Sequence, residues 1–235
     1  MTQELIILSA TAASIALLHT ILGPDHYIPF IMMARARGWR LLKTTWITLL
    51  CGIGHVGSSI VLGLIGIFFG ISVNKLKLVE SIRGNLAAWM LIIFGLGYLI
   101  WGVIRIIQNK PHKHLHVHPN GKLHSHKHIH AAEHLHTHEE RENITPWILF
   151  TIFVLGPCEP LIPILMYPAA NKSMPGLILV TTIFSLVTIA TMMTIVIVTT
   201  LGFNLIPFVK LEKYTHAIAG GMILLCGIGI VFLGL

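Results

Sequence analysis

The sequence predicts an all-α polytopic membrane protein, with six transmembrane helices forming two inverted three-helix repeats whose first helices are broken. Three observations carry that expectation. Apolar residues make up 54% of the chain against 11% charged, and they gather into long blocks. Two motifs in the first half recur in the second at nearly one spacing. Most basic residues lie in the connections between blocks, with more on one side of the implied membrane than on the other.

Six blocks carry few ionisable residues: Leu5 to Ala34, Trp46 to Ile71, Leu86 to Ile107, Trp147 to Tyr167, Leu177 to Leu201 and Ala217 to Leu235. Each is near or above the roughly 18 to 20 residues a helix needs to cross about 30 Å of hydrocarbon. Lipid offers no partner to an unpaired amide or carbonyl, so the blocks are expected as helices rather than open strands. The first block opens Met1-Thr2-Gln3-Glu4 without a basic stretch and runs on without a small-residue cleavage site, so it reads as a retained helix. Cys51, Cys158 and Cys226 all lie inside apolar blocks, and no extracellular disulfide framework follows from them.

The stretch from Ala87 to Gly97 aligns with Ala219 to Gly229, and Leu22-Gly23-Pro24-Asp25-His26 aligns with Leu155-Gly156-Pro157-Cys158-Glu159; the offsets are 132 and 133. Three crossings reverse a chain, so a second three-helix unit is expected inverted relative to the first, a common plan in secondary transporters. The expected parts are residues 1–107 as the first repeat, 108–145 as a histidine-rich loop without regular structure, and 146–235 as the second repeat. Arg35, Arg37, Arg40 and Lys43 follow the first block, a cluster from Arg105 to Arg141 follows the third, and Lys210 and Lys213 follow the fifth. The opposite side has only Lys75, Lys77, Arg83 and Lys172. The excess of Lys and Arg on the cytosolic side then places both termini outside and the histidine-rich loop in the cytosol, in a multi-pass protein of the cell (inner) membrane. The formal charge of +7 therefore reports orientation, and no nucleic-acid partner is expected.

Asp25 and Glu159 read as the only carboxylates deep within apolar blocks, and an ionisable group there is a functional candidate by default. On an unbroken helix His19 and His26 would stand about 10 Å apart along the axis, too far to share an ion. Gly23-Pro24 changes that, because proline removes an amide donor and breaks the helix, letting ligands converge. Gly156-Pro157, Pro160 and Pro163 repeat the device around Cys158 and Glu159. The second block adds His55 within Gly52-Ile53-Gly54-His55. Imidazole with carboxylate suits nickel, cobalt, zinc or iron, whereas calcium and magnesium prefer all-oxygen sites. The candidate metal ligands are thus His19, Asp25, His26 and His55, with Cys158 or Glu159 from the other half.

These residues resemble the nickel/cobalt transporter superfamily: His19, Asp25 and His26 in a His-x5-Asp-His run, Gly54-His55 in the second helix, and Gly156-Pro157-Cys158 in the fourth. The larger uptake branch carries four residues where this chain has five, and the permeases accompanying hydrogenases and ureases match better at that point. The resemblance implies that His19, Asp25, His26 and His55 serve metal selection and passage. It also implies nickel or cobalt as cargo; the donor types alone leave zinc and copper open.

Eleven of the fifteen histidines fall between His112 and His138, many at alternate positions. They are His112, His114, His116, His118, His124, His126, His128, His130, His134, His136 and His138, and such a tract reads as metal binding. Its cytosolic placement fits export somewhat better than import.

The chain is therefore expected to be a metal carrier in the lipid bilayer, not an enzyme, with no catalytic residue and no resident cofactor; a homo-oligomer is left open. Three other classes compete. A transmembrane thiol–disulfide carrier would need apposed cysteines, yet Cys158 matches Asp25 and Cys51 matches Phe184. A metal-holding accessory protein for metalloenzyme maturation predicts binding without flux. An oxyanion exporter would need Lys or Arg deep in the helices, and none is read there.

Overall fold

The computed structural model describes residues 3–108, 112–117, 123–128, 144–205 and 212–233. The described residues form eight α-helices: α1 (Gln3–Leu22), α2 (Ile28–Arg37), α3 (Leu41–Phe68), α4 (Val73–Gln108), α5 (Thr145–Leu155), α6 (Leu161–Ala170), α7 (Met174–Leu205) and α8 (Thr215–Leu233). Among them five are long and apolar enough to cross a bilayer, the pattern of a multi-pass membrane protein: α1, α3, α4, α7 up to Phe203, and α8. Large apolar side chains such as Phe68, Trp147 and Ile93 face outward from the bundle, as lipid contact requires.

The first and fourth expected blocks are each divided in two. After α1, the Gly23 amide still bonds to the His19 carbonyl at 3.0 Å, but Pro24 brings no amide, and a single 3-10 turn over Pro24–His26 intervenes before α2. In the second half α5 stops at Leu155, Pro157 and Pro160 supply no donors, and α6 restarts at Leu161, whose amide bonds to the Cys158 carbonyl at 3.0 Å. Neither α5 nor α6 alone is long enough to cross.

The third block differs most from expectation. α4 begins at Val73, well before Leu86, because Leu76, Glu80, Gly84, Ala87 and Ala88 are buried at helical spacing while charged residues occupy the other face. Glu80 is fully buried and Arg83 half-buried, so Asp25 and Glu159 are not the only carboxylates inside the bundle, and a basic residue does sit within a helix.

The segment expected to lack regular structure contains two antiparallel strands, β1 (His112–Val117) and β2 (Leu123–His128), a period-two geometry that the alternating His pattern permits. Their register sets His112 opposite His128, His114 opposite His126 and His116 opposite His124. His118, His130, His134, His136 and His138 lie outside the described residues.

α4 runs along α8, α1 and α3 pack on α7, α5 packs on α3, and α2 packs on α8. The α4–α8 approach is close because both helices are glycine-notched: a methyl group at Gly95 would meet the Leu224 backbone, and one at Gly220 the Leu99 backbone. Small residues that let backbones touch are the usual basis of helix association in lipid. Phe30, Met33, Leu149, Phe153, Met192 and Ile223 fill the main core, at the level of the first break.

Candidate metal centre

Three imidazoles meet beside the first break. His19 comes from the last turn of α1, His26 from the turn after Pro24, and His55 from the middle of α3. Ring centroids of His19 and His26 are 4.8 Å apart, and those of His26 and His55 are 5.0 Å apart. The helix break thus folds His26 back beside His19, where a continuous helix would have held them apart along its axis. One nitrogen from each ring lies within 4.8 Å of those from the other two.

The hydrogen bonds set which nitrogens are free. His26 Nδ1 lies 3.0 Å from the Gly23 carbonyl and 3.3 Å from Asp25 Oδ1; His55 Nδ1 lies 3.3 Å from the Phe153 carbonyl. A carbonyl oxygen only accepts, so both Nδ1 atoms carry the proton and donate it. In the neutral rings Nε2 then holds the lone pair. The Nε2 atoms of His19, His26 and His55 are all buried and have no protein partner. Three buried ring nitrogens without partners, two of them acceptors by their tautomer, are costly unless a cation or water meets them. An Nδ1–H donated to a carbonyl or carboxylate is also how metal-binding histidines are commonly held.

Nitrogens bound tetrahedrally at about 2.0 to 2.1 Å from one ion stand roughly 3.4 Å apart. The cluster, with its nitrogens inside 4.8 Å, is somewhat wider than that. Small ring rotations would close it. The rings open on a cavity of about 590 Å³, also lined by Asp25, Ser81, Asn85 and Glu159.

The remaining candidates divide. Asp25 lies against the Nδ1 side of His26 and belongs to the cavity wall, outside the group of three converging nitrogens. Glu159 is exposed on the same cavity and also lines a neighbouring one of about 450 Å³ with Lys77, Glu80 and Ser81. Cys158, expected as an alternative ligand, is fully buried among Ala16, Val56, Leu161, Leu165 and Phe184 and does not line the histidine cavity. The proline break resets the helical phase there, so neighbours in sequence point in unrelated directions.

Sequence reasoning missed the polar wall supplied by α4. Ser81 and Asn85, four apart, line the cavity, and Glu80 with Arg83 braces the second break. Arg83 donates to Glu80 Oε1 at 2.8 Å, to the Ser58 hydroxyl at 2.7 Å and to the Val154 carbonyl at 2.8 Å. The Cys158 amide donates to the Ser59 hydroxyl at 3.2 Å. The available signal was the four-residue spacing of Leu76, Glu80 and Gly84 leading into the apolar block.

Fold and site together define a helical, multi-pass type of chain with a buried tri-histidine cluster at a helix break. Comparison with family models, with curated proteins and with solved structures gives no match.

Proposed function

We propose that the chain carries a divalent transition metal ion across the membrane, with His19, His26 and His55 as its passing ligands. The observation that carries this reading is the set of three buried, unpartnered Nε2 atoms facing one cavity, two of them with Nδ1 tied to a backbone carbonyl. Imidazole donors suit first-row metals from iron to zinc, and the resemblance of the His-x5-Asp-His and Gly-His elements favours nickel or cobalt. Asp25 supports the cluster as an acceptor beside His26 Nδ1, and Glu159 is the charged group that a cation meets next along the cavity. A site slightly too wide for a closed tetrahedron suits an ion that must enter and leave.

In this reading α1 with α2, and α5 with α6, are the broken first helices of two inverted three-helix repeats, giving six spans. The excess of Lys and Arg places both termini outside the cell (inner) membrane and the histidine-rich segment in the cytosol. That segment would gather cytosolic metal, which favours export.

The test is nickel and cobalt flux into proteoliposomes, read with an internal metal-sensitive dye, for the wild type, His26→Ala and Asp25→Asn. Loss of flux in His26→Ala and a clear reduction in Asp25→Asn are expected. Unchanged flux in both folded variants removes the transport reading, and metal binding without wild-type flux points to a holding protein instead.

A further inference from the structure

A second polar cluster sits where α2 and α4 end and α8 begins. Arg37 is the last residue of α2, Arg105 lies in the last turn of α4, and His216 is the second residue of α8. Both guanidiniums lie over one indole, with Arg37 Cζ 5.7 Å and Arg105 Cζ 5.6 Å from the Trp101 ring centre. Arg37 also lies over Tyr98, at 5.4 Å.

The hydrogen bonds assign the charges. Arg105 Nη1 is 2.7 Å from His216 Nε2, and the Tyr98 hydroxyl is 2.9 Å from His216 Nδ1. Arginine can only donate, so Nε2 accepts and the imidazole is neutral with its proton on Nδ1, donated to the Tyr98 oxygen. Tyr98 therefore keeps its own hydroxyl proton to give. Among the side chains the structure describes, which do not include that of Glu212, the ion pairs are His26 with Asp25 and Arg83 with Glu80, and neither guanidinium takes part in one. Two positive charges are thus held side by side by aromatic faces, the Tyr98 hydroxyl and a neutral ring.

We infer that this cluster binds the phosphate of an anionic phospholipid. Guanidinium donors match phosphate oxygens in forked geometry, and the stacking on Trp101 fixes both side chains in advance. The position fits a headgroup: the cluster is at the helix ends, Trp101 is part-exposed as aromatic residues at the lipid–water boundary are, and the same end carries the exposed Arg40 and Lys43. Basic pockets between transmembrane helices are a recurrent mode of headgroup binding. The cluster also bridges α2, α4 and α8, so a bound lipid would tie the end of the first broken span to the glycine-notched pair. This inference does not depend on the metal reading.

The full chain in neutral detergent is titrated with phosphatidylglycerol, phosphatidylcholine or inorganic phosphate, following the thermal unfolding midpoint and the lipid retained in native mass spectra. Phosphatidylglycerol is expected to raise the midpoint and to remain bound, while phosphatidylcholine does neither. Arg37→Gln and Arg105→Gln should each lower phosphatidylglycerol retention about tenfold. Arg40→Gln, which removes the same charge from the same end, should leave retention unchanged. Equal response to the two lipids, full retention in both folded Arg37 and Arg105 variants, or an equal loss in Arg40→Gln overturns the proposal. A midpoint shift from millimolar phosphate that phosphatidylglycerol fails to increase reassigns the cluster to a free anion and likewise overturns it. Midpoint and retention for the two single variants are read independently, so failure of one to fold leaves the other to decide.

Discussion

Gly23→Ala tests the proposed metal centre without removing a ligand. A methyl carbon at Gly23 would stand 2.5 Å from His26 Nδ1, 2.8 Å from its Cε1 and 3.0 Å from Asp25 Oδ1. Ordinary contact begins near 3.4 Å, so the His26 ring has to retreat by roughly 1 Å. It has little room to do so, because the ring is 3% exposed and its Nδ1 is held by the Gly23 carbonyl. Metal–ligand distances tolerate about 0.2 Å, so the displaced ring leaves the coordination geometry. Disturbing a supporting group typically costs 10- to 100-fold in metal affinity, and that is the range expected here. The extra methyl should lower stability by about 1 to 3 kcal/mol. Calorimetric titration with nickel on a chain lacking residues 111–142 isolates the membrane site, and thermal unfolding of the same samples follows stability. Gly57→Ala, where an added carbon meets nothing within 4 Å, is the control and should bind as the wild type does. A folded Gly23→Ala protein whose affinity stays within about twofold of wild type would refute the argument that these imidazoles form the site.

Three further outcomes follow from the same geometry. Glu159→Gln should slow flux severalfold in proteoliposomes while nickel affinity changes little, since Glu159 lines both cavities yet stands outside the three converging nitrogens; a parallel loss of affinity would make it a ligand. Cys158→Ser should keep metal flux, because the thiol is buried away from the cavity and all three cysteines are free; full loss of flux would revive a thiol-based function. Arg83→Met removes the partner of the buried Glu80 carboxylate and should destabilise the fold by about 3 to 5 kcal/mol, read by thermal unfolding. An unchanged midpoint there would mean that Glu80 is held neutral without its arginine.

The helices were legible wherever lipid demands apolar residues on all sides, which is why the second and fifth blocks correspond to long helices. The start of α4 was not, because a half-polar helix and a charged connection have the same average hydropathy; only the burial of Leu76, Glu80 and Gly84 on one face separates them. Both helix breaks were legible from Gly-Pro, a signal that acts through a missing amide and needs no tertiary context. The meeting of His19, His26 and His55 followed from ionisable groups having few tolerable places in lipid. Where Asp25 and Cys158 point was not legible, since side-chain direction after a proline depends on how the chain restarts.

The two breaks, aligned at an offset of 133, have diverged in what their polar groups do. Asp25 and His26 face Cys158 and Glu159 across the alignment, and His55 faces the buried Thr188. At the second break, carbonyl and amide are satisfied from outside it: Arg83 of α4 holds the Val154 carbonyl, and Ser59 of α3 holds the Cys158 amide. At the first break the Gly23 carbonyl accepts from the His26 ring, and the Tyr27 hydroxyl reaches back to the Ile21 carbonyl at 3.2 Å, so that segment braces itself. Backbone freed in lipid has to be satisfied somewhere. Using an imidazole Nδ1 for that purpose at the first break leaves its Nε2 available to a cation. Using an arginine at the second anchors that break to α3 and α4. The histidine-bearing break is therefore the one with fewer hydrogen-bond ties to other helices, and under the proposed transport function that is the segment on which metal exchange would fall.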